Sequence, residues 1–226
     1  MRMKNLTLWS IKLQKKYGFY LLYVLLTALY LLVLWLIPEQ WEQNIAALII
    51  FLDPAAMGLF FMGAIVLLEK SQRLPGAMAV SPIQEWEYIA ANTVSMGIIS
   101  VLVGAVIGVA AHVPNIFTLI LGTVLAAVFF TMSGIVIATK ITDLNQFVLS
   151  TMPVLLIGAV PPVIYLVGGG ISWLKHYPTS ACIDLMVGKQ PSLIAVILLL
   201  LITAAAAYMA VSAVRKMWIS AGGVKL

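Results

Sequence analysis

Long runs of hydrophobic residues, separated by short polar segments, fill most of the chain. Roughly 20 mostly apolar residues are enough for a helix to cross the hydrocarbon core of a bilayer. Because that core offers no water to backbone amides, each run is predicted to be a helix and not a strand. The pattern therefore predicts an all-α, polytopic membrane protein with six transmembrane helices, near 18–37, 46–68, 87–110, 116–138, 146–169 and 192–214.

The composition excludes the soluble classes of protein. Of the 226 residues, 63% are hydrophobic and only 9% are charged, whereas an ordinary soluble domain has about 25% charged residues. Such a chain cannot cover itself with a hydrated surface, which excludes a soluble globular domain, a disordered regulator and a secreted disulfide scaffold. The one cysteine, Cys182, permits no internal disulfide. We therefore expect a single transmembrane domain over residues 1–226, placed in the cell membrane as a multi-pass protein.

The basic residues fall almost entirely on one side of the predicted helices. Eleven of the thirteen Lys and Arg residues precede the first helix, follow the sixth, or lie in the loops after the second and fourth; only Lys175 and Lys189 fall on the other side. Since Lys and Arg are retained on the cytoplasmic face, both termini are expected to be cytoplasmic. The net charge of +5 is thus explained by topology and by contact with anionic lipid, and not by nucleic-acid binding.

The first 17 residues are short and basic, and two interpretations stay open. On a helical wheel, apolar residues share one side and lysines the other, which predicts a helix lying in the cytoplasmic interface of the membrane. The alternative is a simple positive flank of the first transmembrane helix. The apolar side is Met3, Leu6, Leu13 and Tyr17, and the basic side is Lys4, Lys12, Lys15 and Lys16.

Enzymatic chemistry finds no support in the motifs. The histidines, His112 and His176, lie in loops predicted to face outside, and no cluster has metal-ligand spacing. The phosphate loop of nucleotide-binding proteins is also absent, because the only Gly-Lys pair, Gly188-Lys189, is followed by Gln190. The sequence therefore predicts neither a catalytic site nor a metal or cofactor of its own, and a separate subunit would have to bind any ATP that drives the protein.

Asp53 is the main ionisable candidate at membrane depth. It could bind an ion or substrate, because a charge within the bilayer is costly and persists for function. It could also cap a helix that restarts at Pro54, since Asp-Pro suits those two positions, and we favour this second interpretation. Met57, Phe60 and Phe61 follow on the same helix. They could line an adaptable apolar pathway or simply pack against other helices.

The fifth helix and the segment after it contain several prolines and glycines, which are residues that interrupt helices. Pro153 and Pro161-Pro162 each remove a backbone hydrogen bond, so the outer end of this helix is expected to be broken before Gly168-Gly169-Gly170. Residues 171–190 contain Ile171, Trp173, Leu174 and Ile183, and we expect this segment to dip back into the outer interface as a short re-entrant element.

The cytoplasmic loop over residues 69–82 is the most informative part of the chain. It begins with charged residues, continues through a Pro-Gly pair and contains the short apolar piece Ala77–Val80. A solvated connector has no need of this piece, so we interpret it as a docking surface. Ser81-Pro82-Ile83-Gln84 has capping-box spacing and predicts the start of the third helix.

On these residues the chain resembles the membrane permeases of type 2 ATP-binding cassette (ABC) exporters, and among them it is similar to fluoroquinolone-export permeases. The resemblance is carried by the Asp53-Pro54 helix running into 67–71, by 79–83 and by 87–88. It implies a coupling helix that docks on a separate ATPase, a homodimer or heterodimer of permeases, and a re-entrant segment before the last helix. The residues implied at the docking contact, or in support of it, are Glu69, Lys70, Arg73, Met78, Ser81 and Pro82.

The resulting hypothesis is that the chain forms half of the membrane pore of an ATP-driven exporter. It would move an amphipathic drug, peptide or lipid out of the cell, using the ATPase subunit as its engine. The main alternative is a secondary transporter or channel that works without ATP and depends on Asp53. A third possibility is a membrane anchor or immunity subunit that recruits partners and transports nothing.

Overall fold

The computed structural model describes residues 2–168 and 171–221 and shows helices throughout. Six helical runs are long and apolar enough to cross a membrane, and they match the six predicted spans: Phe19–Leu36, Glu39–Ser71, Glu85–Ala110, Ile116–Ala138, Leu144–Val167 and Leu193–Ser220. In chain order the elements are α1 (Arg2–Lys16), α2 (Phe19–Leu36), α3 (Glu39–Ala56), a π-helical segment (Met57–Phe61), α4 (Met62–Ser71), α5 (Leu74–Ala79), α6 (Glu85–Ala110), α7 (Ile116–Ala138), α8 (Leu144–Val167), a 3₁₀ segment (Ser172–His176), α9 (Ser180–Val187) and α10 (Leu193–Ala221).

Helix α7 occupies the centre of the bundle and packs against α3, α4, α6, α9 and α10. Small residues allow this close packing. A Cβ atom at Gly134 would stand 2.5 Å from the carbonyl oxygen of Leu59, and one at Gly58 would stand 2.8 Å from the hydroxyl oxygen of Thr131. The π-helical segment and α7 therefore touch through their backbones, which fixes the second span against the centre of the fold.

The N-terminal helix α1 attaches to α6 through polar groups. The Ser10 hydroxyl donates to the side-chain oxygen of Asn92 at 2.7 Å, and the Gln14 amide donates to the Ser95 hydroxyl at 2.8 Å. All four side chains are buried. The predicted helix is present, but the face that it buries in the protein is a polar one that the wheel of apolar residues did not reveal.

The second span passes through Asp53 and Pro54 without a break, so the interpretation of Asp53 as a helix cap is wrong. Residues 39–71 form one helical run in which a π-helical segment follows α3 directly. The reason is the solvent. A helix end inside the bilayer would leave several backbone groups without partners, whereas a proline within the helix removes one hydrogen bond.

The fifth span is also continuous, which corrects the expected break near its outer end. Helix α8 runs to Val167 and contains Pro153, Pro161 and Pro162 within it. The same argument applies, because a few missing hydrogen bonds cost less than an open helix end at membrane depth. Gly168 follows as the C-cap residue, and the two glycines after it lie outside the described residues.

The segment over 171–190 folds into the 3₁₀ segment and α9. Every residue from Ser180 to Met186 is buried, and α9 packs against α7 and α3. The hydroxyl of Tyr165 donates to Asp184 at 3.1 Å, and burial raises the pKa of the Asp184 carboxyl above its ordinary value. Leu174 and Ile183 are buried in the protein, whereas Ile171 and Trp173 are exposed, and the insertion of this segment into the interface stays a prediction.

Candidate functional site

Residues 69–82 form a folded bracket between the second and third spans. Helix α4 ends at Ser71, and Arg73 adopts a left-handed backbone with a φ of 58°. This reverses the chain into the short helix α5, which lies against α4 and α10. A left-handed backbone is uncommon for a residue other than glycine and persists only where the surrounding structure holds it. The sequence predicted a docking loop here, and the structure shows a defined helical turn.

Two residues attach the bracket to the bundle, Glu69 and Lys70, and we call this pair the root of the bracket. The Glu69 side chain is 1% exposed and accepts a hydrogen bond from the hydroxyl of Tyr88 on α6. The Tyr88 ring stacks edge-on against Trp218 of α10, with ring centroids 5.8 Å apart. Three helices thus meet at one buried group, and Glu69 is placed to support the bracket and not to touch a partner directly.

Lys70 forms the second part of the root. Its ammonium group donates to the backbone carbonyls of Ala138, Thr139 and Ile141 at 2.7–2.8 Å. These carbonyls belong to the end of α7 and the turn after it, where a helix presents unpaired acceptors and a partial negative charge. Lys70 therefore ties the bracket to the central helix, and its three donors are already used within the chain.

The exposed part of the bracket is apolar. Pro75 is buried, and Met78 is half-buried and packs inward on the core beneath α5. Ala77 and Ala79 are exposed, and Val80 is 85% exposed. We call Ala77, Ala79 and Val80 the tip of the bracket. Of the six residues predicted for the docking contact, Arg73 and Pro82 are the exposed ones, and they flank the tip.

Ser81 does not begin the third helix, so the predicted capping box is placed three residues too early. Its hydroxyl donates to the carbonyl of Met78 at 2.7 Å, which closes the end of α5. The helix α6 begins after Gln84, whose backbone N–H donates to the Glu87 carboxylate at 3.0 Å in a capping box of its own. Both tetrads have the required spacing, and the turn after α5 uses the first.

A basic cleft of about 580 Å³ lies beside the bracket. Lys70, Arg73 and Lys140 line it, together with Thr139, Thr142, Pro75, Gly76, Met217 and Ser220. We call this side of the bundle the basic end. The roles of Tyr88, Trp218 and Lys140 are not visible in the sequence, because these residues come together only through helix packing. The buried position of Trp218 differs from the interfacial position that tryptophans at span ends usually take.

The four residues suggested for a pathway lie together on the second span. Asp53 and Met57 are buried, and Phe60 and Phe61 are half-buried. Phe61 stacks edge-on against Phe19 of α2, with ring centroids 4.8 Å apart. The packing of Phe61 against Phe19 holds α2 to the bundle. Among the residues that the structure describes, no group of His, Cys, Asp or Glu side chains could hold a metal ion.

Comparison with known proteins finds relatives that are named export permeases. Two curated relatives from Mycobacterium tuberculosis, both named fluoroquinolones export permease proteins and from strains CDC 1551 / Oshkosh and ATCC 25618 / H37Rv, are each 30% identical to this chain over 118 residues. That match covers 51% of the chain and 50% of each relative, so the similar region spans about half the length of the curated relatives. A family-level match covers residues 2–221, and the chain therefore belongs to the Fluoroquinolones export permease protein family.

Proposed function

We propose that the chain is the membrane permease subunit of an ATP-driven ABC exporter, with the 69–82 bracket as the contact for a separate ATPase. Family membership supports a role in export. The observation that carries the ATP-driven part is the combination of an exposed apolar tip with a buried root. An exposed apolar tip that was not attached to the bundle would be a flexible loop. Buried contacts without an exposed tip would be ordinary helix packing.

The root offers a route for force from the tip to the spans. Glu69 connects the bracket to α6 through Tyr88, and Lys70 connects it to α7 through three carbonyls. Helix α5 also packs against α10. A displacement of the bracket would therefore act on three spans at once. Such coupling requires the ATPase to bind two permease states with different affinity, since equal affinity would shift no population.

The remaining parts of the proposal concern the partners and the cargo. A second permease, identical or different, would complete the pathway, and the second and fifth spans would line most of it. The cargo would be amphipathic, because the spans offer wide apolar surfaces and few charges. On this proposal ATP is bound by the ATPase subunit, and the permease itself has no catalytic role.

The test measures ATP hydrolysis by the complex of this permease with an ABC ATPase that co-purifies with it, reconstituted in lipid vesicles. Val80→Asp places a charge at the centre of the tip, where 85% exposure makes a folding defect unexpected. We expect the permease-dependent part of ATPase turnover to fall by about tenfold, as for the loss of a central interface residue. Arg73→Glu should lower it as well.

The matched control is Ile171→Asp, which places the same charge on an exposed aliphatic residue at the opposite end of the chain's fold. It should leave turnover unchanged. If Val80→Asp and Ile171→Asp behave alike, the tip is not the contact. Cargo flux that continues in vesicles without ATP, driven by an ion gradient, would instead identify a secondary transporter.

A further inference from the structure

A carboxyl group in the middle of the second span has unmet hydrogen-bonding capacity. Asp53 is 4% exposed and lies near the centre of the 33-residue run Glu39–Ser71. Its Oδ1 atom is buried and has no hydrogen-bond partner among the described residues. Ionisable groups at this depth are costly and mark sites of function more often than sites of packing. The helix passes straight through Asp53, so a capping role does not explain it.

A tyrosine close to Asp53 also has unmet hydrogen-bonding capacity. Tyr23 of α2 is 3% exposed, and its hydroxyl has no hydrogen-bond partner within the described part of the chain. Met57 and Phe61 follow Asp53 at four-residue intervals along the same helical run, and the ring of Tyr23 lies against Phe61, which places the phenol in the neighbourhood of the carboxyl group. Buried polar groups are normally paired. Two unpaired groups close together therefore indicate a site that is arranged for a ligand.

Aromatic rings surround this neighbourhood. The Phe61 ring lies 6.2 Å from the ring of Tyr23, measured between centroids. Phe61 closes the π-helical segment, a form of helix that occurs frequently at functional sites. The faces of such rings attract organic cations, most strongly where water is excluded. A carboxyl group and aromatic faces together make a chemistry that suits a positively charged organic group.

A groove leads from the outside of the bundle to Tyr23. It has a volume of about 370 Å³ and runs between α2 and α6, with Tyr23, Val24 and Leu102 among its lining residues. Val24 and Leu102 are largely exposed, so the groove opens on the outer surface of the bundle. Because Tyr23 belongs both to the wall of this groove and to the neighbourhood of Asp53, it separates the apolar groove from the carboxyl group.

Helix α2 is well suited to move away from the bundle and so to expose Asp53 to the groove. Of its 18 residues only Tyr23 and Leu34 are buried, and nine are exposed. It begins after Gly18, whose φ of 76° is a left-handed conformation that turns the chain sharply between α1 and α2. A small outward movement of α2 would carry Tyr23 aside and join Asp53 to the groove.

We propose that Asp53 and Tyr23 form a binding site for an amphipathic organic cation, which enters from the bilayer through the groove between α2 and α6. The cationic group would lie against Asp53 and the rings of Tyr23 and Phe61, and the apolar body would fill the groove. Charge complementarity selects this occupant. Asp53 has no ion-pair partner in the described ranges, where Arg215 and Glu85 form the ion pair that is present.

A neutral lipid tail would fill the groove equally well but would leave the carboxyl group unpaired. The inference names a substrate class for the proposed exporter and rests on that function for its role in transport. Binding itself requires no ATPase. A test on the permease alone therefore separates a failure of this site from a failure of the ATP-driven mechanism, which the Val80 experiment addresses.

The experiment measures binding of radiolabelled tetraphenylphosphonium, a lipophilic cation, to the permease in lipid nanodiscs by equilibrium dialysis, with empty nanodiscs subtracted. We expect saturable binding to the unaltered protein. Asp53→Asn should weaken it by about tenfold or more, as expected for loss of a desolvated charge partner. Tyr23→Phe should weaken it less, because the ring remains. Neutral triphenylphosphine oxide should fail to compete.

Two further variants serve as controls, one that keeps the charge at Asp53 and one that removes a different buried acid. Asp53→Glu retains the charge and should retain most of the affinity, while the thermal unfolding midpoint confirms that each variant is folded. Asp184→Asn removes another buried acid, near the opposite end of the fold from the bracket, and should leave binding unchanged. Binding that survives Asp53→Asn, falls equally in Asp184→Asn, or yields to the neutral competitor would overturn the proposal.

Discussion

Two buried carboxyl groups on the same helical run, Glu69 and Asp53, differ in their surroundings. Glu69 at the basic end accepts a hydrogen bond from Tyr88, which in turn stacks on Trp218. The second oxygen of Glu69, Oε1, is buried without a partner among the described residues, as is Oδ1 of Asp53 near the middle of the run, so the difference is the one hydrogen bond that Glu69 receives. A paired buried carboxyl holds helices together, whereas an unpaired one is a cost to the fold. Glu69 is therefore held to another helix by one hydrogen bond, whereas no such hydrogen bond holds Oδ1 of Asp53 among the described residues.

The largest effect is expected at the paired group. Glu69→Ala would leave the Tyr88 hydroxyl buried without an acceptor, and we expect a loss of about 3 kcal/mol in the free energy of unfolding. Denaturant unfolding in detergent micelles, followed by tryptophan fluorescence, would measure it. Glu69→Gln keeps an acceptor oxygen and should cost less. A loss as large in Glu69→Gln as in Glu69→Ala would show that charge, and not the hydrogen bond, stabilises the root.

An effect of about 2 kcal/mol is expected at Lys70, because Lys70→Met leaves three carbonyls at the end of α7 without their donor. Amide hydrogen exchange should rise over residues 138–143 as that end loosens. Lys140→Met is the matched control, since Lys140 is exposed on the same side of the bundle. It should change the unfolding free energy by less than about 0.5 kcal/mol. Equal effects of the two variants would mean that Lys70 acts only as a surface charge.

The smallest effect on the free energy of unfolding, with the opposite sign, is expected at Asp53. Asp53→Asn removes a buried charge without breaking a pair, so stability should stay unchanged or rise by up to about 1 kcal/mol. The same unfolding measurement applies, and Glu69→Gln serves as the reference for removal of a charge at a paired site. A clear loss of stability in Asp53→Asn would break the comparison, because it would show that Asp53 also serves the fold.

Some features followed directly from local patterns, whereas three expectations about helix ends were wrong. The six spans were predicted correctly, since length and apolar composition decide whether a helix is stable in a bilayer. The expected cap at Asp53 and the expected break in α8 were wrong because both rules come from helices whose ends meet water. Inside the membrane an interrupted helix costs more than a proline in its interior. Ser81-Pro82 failed differently, since Gln84 and Glu87 offered the same spacing.

The bracket shows the same division within one site. Its apolar tip was visible in the sequence, since four small or apolar residues in a charged loop are unusual. Its root was not visible, because Tyr88 and Trp218 lie 19 and 149 residues beyond Glu69 and no periodicity connects them. The pairing of Lys70 with the end of α7 likewise depends on where two helices cross. The sequence therefore identified the surface, and only packing identified what supports it.

Amino-acid order alone determined that this protein spans a membrane six times and which family it belongs to, because hydrophobic length and short motifs are local properties. Tertiary structure alone decided that Glu69 accepts a hydrogen bond from another helix, while Oδ1 of Asp53 has no partner among the residues that the structure describes. Two acids on the same helical run, each preceded by a leucine, receive different environments from helices far away in sequence. Whether a buried charge finds a partner depends on side chains brought together across the bundle, and that information is absent from any single stretch of the chain.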